Sequence, residues 1–330
     1  MNKNQITGIS GLCNLGNTCY VNSAIQILLN MNEMNKYFEQ IDIVNKNENS
    51  IMLKEWLDLY KIMAYNNVIV NPERFIKYLH NVAKIKNNEL FSDYSQNDSV
   101  EFFHFMIDCF HESLKNVDQK LKFKLKIKDD KFSKFIKSHY HENMSIIQKL
   151  QSGFYKITIL NNENVLSTNY EHFFMIHIPL FEFSVSSLDE CLKLHFKDEI
   201  MEGDNAYYHE ESKKKVDVIK RTSIIHLPEY LTIHLKRWNY NLRKNNKRIN
   251  YTHEIDLIDY VDTKYSDKNT KYELTGIINH TGNVFGGHYY AFVKKVDDNW
   301  YCMNDKLIKR VDPNKLINGS NYCLFYKKIK

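Results

Sequence analysis

Gly11-Leu12-Cys13-Asn14-Leu15-Gly16-Asn17-Thr18-Cys19-Tyr20-Val21-Asn22-Ser23 stands near one end of the chain. Gly286-Gly287-His288-Tyr289-Tyr290-Ala291-Phe292-Val293, followed by Trp300-Tyr301-Cys302-Met303-Asn304-Asp305, stands near the other. The first stretch offers a thiol, and the second offers an imidazole with a polar residue to orient it. Thiolate attack on an acyl group needs those three parts.

Cys19 sits where a loop containing Gly11 and Gly16 runs into an apolar periodic segment, with Val21, Ala24, Ile25, Leu28 and Leu29 at helical spacing. Unpaired N–H groups and the helix dipole at such a start favour a thiolate. Asn14 can aim its amide at an oxyanion beside the sulfur, a contact worth roughly 10²–10³ in rate. Cys13 lies away from the helix start and reads as a bystander. A lone Cys is more often an inert buried residue; the glycine-flanked loop ahead of Cys19 sets it apart.

Asp297-Asp298-Asn299 supplies turn residues between two apolar runs. A hairpin centred on Val296 sets His288 directly opposite Asn304, with Cα atoms roughly 4.5–5.5 Å apart. The amide would then hold the imidazole in one tautomer. A one-residue bulge would bring in Asp305 instead. Gly286 and Gly287 permit unusual backbone beside the ring. The chain holds 14 His; His111, His195, His226 and His234 carry only a packing reading.

The first part of the chain reads as helical, with further helices expected over Ile51 to Tyr65, Asn71 to Ala83 and Asp98 to Leu114. Asn71-Pro72 reads as a cap followed by Pro at the first helical position. Lys115 to Lys137 is lysine-rich with interleaved Phe and Leu, and reads as a solvated amphipathic insertion. From Phe154 onward, strands are expected over Tyr155 to Ile159, His172 to Ile178, Ser223 to Leu227, Tyr230 to Leu235 and Tyr272 to Ile278, with a helix over Ser187 to Phe196. Helices first and strands after make an α+β protein.

Bulk properties exclude several classes. The 330 residues are 43% hydrophobic and 26% charged, which fits a globular chain. With 4 Pro and 10 Gly there is little material for a long linker. The net charge of +5 is too small to imply nucleic acid, and none is expected. No apolar run spans a bilayer: Phe173 to Phe183 is broken by His177 and Pro179. Six scattered Cys and a polar start point to free thiols in a reducing, cytoplasmic or nuclear setting.

Together the two boxes resemble those of the ubiquitin-specific protease family of cysteine deubiquitinases. The likeness runs from Ile9 onward, through Gln96-Asn97-Asp98-Ser99-Val100-Glu101-Phe102, Leu227-Pro228-Glu229-Tyr230-Leu231-Thr232-Ile233-His234-Leu235-Lys236-Arg237-Trp238 and the closing Tyr322-Cys323-Leu324-Phe325-Tyr326. The resemblance implies a papain-like hand with a helical thumb, a β-rich palm and fingers. One catalytic unit over residues 1–330 would divide into a thumb at about 9–115 and a lysine-rich connection at about 116–150. Fingers with adjoining palm would follow at about 151–222, and palm at about 223–330.

It also implies hydrolysis of the bond after ubiquitin's terminal glycine, with ubiquitin and ubiquitinated proteins as partners. By position Cys19 is the nucleophile, His288 the base and acid, Asn304 the orienter and Asn14 the oxyanion donor, with Asp305 assisting. Family members carry Asp or Asn where Asn304 stands. Asp98 and Glu101 match positions that contact ubiquitin's basic tail, although Asp-Ser-Val-Glu also reads as a helix cap. Asn279 to Gly287 matches a loop bordering the tail channel. Many members hold their fingers with two Cys-x-x-Cys pairs on zinc. Here those places read Leu160-Asn161-Asn162-Glu163 and His209-Glu210-Glu211-Ser212, so zinc-free fingers and no cofactor are expected. Cys191, His195 and His209 lack a fourth ligand, and Cys191 reads as core. The competing readings are a protease for another ubiquitin-like modifier and a non-catalytic ubiquitin-binding scaffold.

Overall fold

Periodic apolar stretches build a helical layer first. The computed structural model describes residues 7–41, 48–115, 117, 129–140, 144–162, 164–181, 185–264, 269–283 and 286–330. The helical layer holds β1 (Gly11–Leu12), α1 (Cys19–Leu29), α2 (Asn32–Glu39), α3 (Glu48–Ala64), β2 (Ile69–Val70), α4 (Glu73–Ile85) and α5 (Ser99–Leu114). Helices α6 (Asp130–Tyr140) and α7 (Ile146–Gln151) follow. Next come β3 (Gly153–Asn161), β4 (Asn164–Phe173), β5 (Met175–Pro179), α8 (Leu188–His195), β6 (Glu199–Met201), β7 (Tyr207–His209), β8 (Lys214–Val216), β9 (Val218–His226) and β10 (Tyr230–Lys236). The chain closes with β11 (Glu254–Asp256), β12 (Lys271–Asn283), β13 (Gly286–Lys294), β14 (Trp300–Asn304), β15 (Leu307–Val311) and β16 (Asn321–Lys328).

Seven strands run in the order β15-β14-β13-β12-β16-β10-β5, and β11 pairs with β12 off this path. This sheet has a core on each face. On one side Ile278, Tyr289, Ala291, Val293 and Phe325 meet α1, α3 and α5. On the other, Ile277, Phe292, Leu324 and Tyr326 meet Leu188 and Leu192 of α8. Burial on both faces explains why the run Tyr322 to Tyr326 is apolar at every position rather than at every second one. A second sheet, β4-β3-β9-β6, and the β7–β8 hairpin form the fingers.

Three local expectations are corrected. The segment His172 to Ile178 is two strands, not one. β4 ends at Phe173 in the fingers sheet, and β5 starts at Met175 alongside β10. Phe174, between them, packs edge-on against His172 and His104. Second, α4 starts at Glu73 with Pro72 as its cap residue, and Asn71 Oδ1 accepts from Glu73 N at 3.3 Å. Third, the helical spacing of Val21, Ala24, Ile25, Leu28 and Leu29 marks only part of the buried surface of α1: all its residues are buried. Some of its polar groups are paired, Ser23 with Ser99 at 2.9 Å and Gln26 Nε2 with the Ser10 carbonyl at 2.8 Å, while Asn22 Oδ1 and Gln26 Oε1 have no partner among the described residues. Other readings hold. The helix expected over Ser187 to Phe196 is α8, with Ser187 as its cap residue. Within the lysine-rich stretch, α6 buries Phe132 and Ile136 against Phe154 and Ile225 and exposes Lys131, Lys134 and Lys137. Residues 116 and 118–128 of that stretch lie outside the described residues.

Uncharged histidines line the seam between helices and sheet. His177 and His234 pair Nδ1 to Nδ1 at 3.2 Å, and His172 meets Ser152 Oγ at 2.8 Å. Burial pushes His172 and His234 down to about 4. The unfolded chain binds these protons near pH 6.5, so folding stability is present above that value and is lost as pH falls towards 4. The melting temperature is expected to fall by roughly 5–10 °C between pH 7 and pH 5. His234→Gln should flatten that slope. A melting temperature that is level across this range, read by scanning calorimetry, contradicts the assignment.

Candidate active site

Cys19 is the first residue of α1 and is 3% exposed. The chain enters this helix through Gly16, whose φ of +110 favours glycine. Asn14 Oδ1 accepts from the backbone N of Thr18 at 3.2 Å, and Thr18 Oγ1 accepts from Leu15 N at 2.9 Å. The loop is therefore closed on itself directly ahead of the thiol. The first turn of α1 carries no acidic side chain. Nothing there opposes a negative charge on sulfur.

His288 lies on β13, and its Nε2 donates to Asn304 Oδ1 at 2.6 Å. An amide oxygen only accepts, so the proton is on Nε2 and Nδ1 is left for the thiol. The ring's pKa is raised to about 9. Its hydrogen bond with Cys19 is the largest cause; the Asn304 bond and the charge of Asp305 add to it, and burial opposes them. The ring is accordingly an imidazolium at neutral pH, held against the sulfur.

The contact arises from a register other than the expected one. β13 and β14 pair Ala291 with Met303 through to Lys294 with Trp300. Continued, that register sets Asn304 beside Tyr290, making His288 its diagonal neighbour. The cause is the loop. Lys295 N bonds the Asn299 carbonyl at 3.0 Å, Asp298 takes φ +60, and the Asp297 carboxylate accepts from Asn299 N and the Tyr301 hydroxyl. The hairpin is thus centred on Asp297 rather than Val296. A shift of two keeps both side chains on one face, and diagonal neighbours roughly 7–8 Å apart remain within reach of a long ring.

Asp305 enters by a turn rather than a bulge. Asn304 pairs with Leu307, so Asp305 and Lys306 form a two-residue loop, with Asp305 at φ +52. Its Oδ2 accepts from Asn14 Nδ2 at 3.0 Å and its Oδ1 from Asn22 Nδ2 at 2.7 Å. Its carbonyl accepts from Leu12 N at 3.0 Å. Asp305 therefore anchors the loop that carries the proposed oxyanion donor. Asn22 was not singled out by sequence reasoning, yet it stands three positions after Cys19, the spacing that shares a helix face.

Gly287 sits beside the ring of His280: a Cβ there would fall 2.2 Å from His280 Nε2. Its carbonyl accepts from Gln96 Nε2 at 2.5 Å, tying helical layer to sheet next to His288. Gly286 meets open space. Val284 and Phe285 of the same loop lie outside the described residues. Asp98 caps α5, its Oδ1 accepting from Val100 N and Glu101 N at 2.7 and 3.1 Å. Its Oδ2 accepts from the hydroxyls of Tyr289 and Tyr322 at 3.3 and 2.5 Å. Glu101, one turn into α5, is exposed; burial, then the charge of Asp98, raises its pKa. Cys191 is fully buried in the core. His195 packs edge-on against Phe196, and His209 pairs with Ser212. Among the described residues no three His, Cys, Asp or Glu side chains are grouped to hold a metal.

Known proteins are similar to this chain in sequence and fold. Ubiquitin carboxyl-terminal hydrolase Usp2 of Drosophila melanogaster is 28% identical over 345 residues, covering 97% of this chain and 35% of that protein. Ubiquitin carboxyl-terminal hydrolase 2 of Homo sapiens is 25% identical over 346 residues, covering 99% and 56%. The chain thus spans between about a third and somewhat over half of these relatives. The SAGA Ubp8/Sgf11/Sus1/Sgf73 DUB module bound to ubiquitin aldehyde contains a chain of the same fold, with a TM-score of 0.76 and 24% identity, covering 100% of this chain and 71% of that one. Residues 10–326 match the family described as ubiquitin carboxyl-terminal hydrolase, and the chain belongs to that family.

Proposed function

We propose that this chain is a thiol-dependent deubiquitinase that cleaves the isopeptide or peptide bond after the terminal glycine of ubiquitin. The observation that carries the reading is the 2.6 Å bond from His288 Nε2 to Asn304 Oδ1, on a ring whose other hydrogen-bond partner is Cys19. The Cys19 thiolate attacks the glycyl carbonyl. The Asn14 amide, held by Asp305, donates to the oxyanion that forms. His288 gives its proton to the departing lysine amine, leaving a thioester on Cys19. The neutral ring then takes a proton from water as the hydroxide adds to the thioester carbonyl; the C–S bond breaks, the Cys19 thiolate is restored, and ubiquitin departs as the acid, which loses its proton to solvent as the carboxylate.

Family membership supports ubiquitin as the substrate, and the bound ligand of the SAGA module is ubiquitin aldehyde. For the basic tail, Glu101 is the exposed carboxylate, while Asp98 is committed to the cap and to two tyrosines that fix the wall beside it. Free thiols at all six Cys support a reducing cytoplasmic or nuclear setting.

Ubiquitin with a C-terminal electrophile should form an adduct with the wild type and none with Cys19→Ala, read by intact-mass spectrometry. Non-covalent binding without an adduct favours a scaffold, and neither adduct nor binding favours another modifier. Asn14→Ala should lower kcat by roughly 10²-fold with KM nearly unchanged; a pure KM effect rules out the oxyanion role. The raised pKa of His288 means the imidazolium persists to about 9 and is lost above it. Turnover should hold from pH 7 to 8.5 and fall as pH passes about 9, whereas a fall centred near 6.5 contradicts the raised pKa of His288.

A further inference from the structure

We infer that Asn22 is a positioning residue for catalysis: through Asp305 it sets the aim of the Asn14 amide. This rests on the acyl-hydrolysis reading given above. Asn22 is 3% exposed and lies one turn into α1 from Cys19. Its Nδ2 donates to Asp305 Oδ1 at 2.7 Å and to the Cys13 carbonyl at 3.3 Å. Both partners only accept, so the amide has one workable orientation. The consequence is that its own Oδ1 is buried with no partner among the described residues. An unpartnered buried carbonyl is costly. The amide stands there in spite of that cost, which points to the two donated bonds as its purpose.

Those bonds complete a chain of three side chains. Asn22 holds one carboxylate oxygen of Asp305, and the other oxygen holds Asn14 Nδ2 at 3.0 Å. Asn14 Oδ1 is fixed at its far end by Thr18 N at 3.2 Å. An amide pinned at both its oxygen and one N–H has a defined plane. One N–H remains for an oxyanion beside Cys19. If Asn22 is removed, the Asp305 carboxylate can turn about its own axis, and the Asn14 plane turns with it. Asn22 is also a neutral donor. It orients Asp305 without cancelling the negative charge that helps keep His288 protonated.

The test compares two reactions of the same thiol. Hydrolysis of ubiquitin bearing a C-terminal fluorophore passes through an oxyanion. Alkylation of Cys19 by iodoacetamide does not. Asn22→Ala should lower kcat by roughly 10–10²-fold, with KM and the alkylation rate each within about twofold of wild type. The double variant Asn14→Ala/Asn22→Ala should be no slower than Asn14→Ala alone, because both changes disable one device. Asn22→Asp provides a second variant of nearly the same shape. It sets two carboxylates side by side, which cannot both ionise. Its activity relative to wild type should rise as pH falls from 8 to 6, when one proton is shared and the bond to Asp305 is restored.

Alkylation slowed as much as hydrolysis would place Asn22 in the fold or in the thiol–imidazole pair and overturn the proposal. Losses that multiply in the double variant overturn it as well. A wild type that alkylates normally yet cleaves no ubiquitin conjugate overturns the substrate reading instead. The same double-variant comparison then runs on another modifier with a diglycine end.

Discussion

The Asp305 carboxylate joins the two ends of the chain into one site. Asn14 and Asp305 lie 291 positions apart in sequence, and nothing local brings them together. Three hydrogen bonds meet at this residue, from Asn14, Asn22 and the Leu12 backbone. The two that reach the carboxylate, from Asn14 and Asn22, are each worth about 1.5–3 kcal/mol, and Leu12 N meets the neutral backbone carbonyl. Apart from them the loop ahead of Cys19 is held by its own turns, by Cys13 N on the Val70 carbonyl and by Asn17 on the Tyr94 carbonyl. With them it is fastened to the tip of the β14–β15 hairpin, the piece of the sheet adjoining Asn304.

That fastening is possible because α1 is buried on every side. A helix laid on the protein surface would leave Cys19 facing water and Asn22 free to rotate. Here the sheet lies along one side of α1 and α5 along another, with Ser23 and Ser99 bonded across the second contact. A buried helix start is an unusual environment. Its N–H groups have little water to meet: Thr18 N is taken by Asn14 Oδ1, and no side chain of the cap residue takes those of the first turn. Chemistry and packing thus place the same demand on this end of the helix.

The sequence is informative about parity and silent about register. Alternation of apolar residues puts His288 and Asn304 on one face whichever even register the hairpin takes, so their contact was legible. The true register depends on Asp298 adopting a positive φ and on the side-chain bonds of Asp297, and no apolar pattern encodes those. Cap chemistry was similarly legible at Asp98, where the side chain bonds within its own helix. It misled at Asn71, since the restricted Pro72 took the cap position itself. Asn22 was hidden for another reason. In a chain rich in asparagine one more amide carries little signal, and only its spacing from Cys19 marks it out. The break at Phe174 was invisible because the apolar run Phe173 to Ile176 crosses it without a turn residue, and the switch between sheets is a tertiary event.

The pairing of Asn304 with Asp305 divides two jobs between neighbours. A carboxylate at 304 would orient His288 and also pull its proton strongly. The amide at 304 orients the ring through a neutral bond, which leaves the proton easier to surrender to a leaving amine. The charge is instead supplied from 305, through space, where it contributes to raising the ring's pKa without touching it. Placing that charge one residue along costs little, because amides rather than a cation meet both its oxygens. A lysine or arginine there would satisfy the carboxylate equally well, but it would cancel the field at His288. The neutral donors Asn14 and Asn22 are therefore the residue type that lets one carboxylate anchor the loop, aim an amide and hold a proton on the imidazole together.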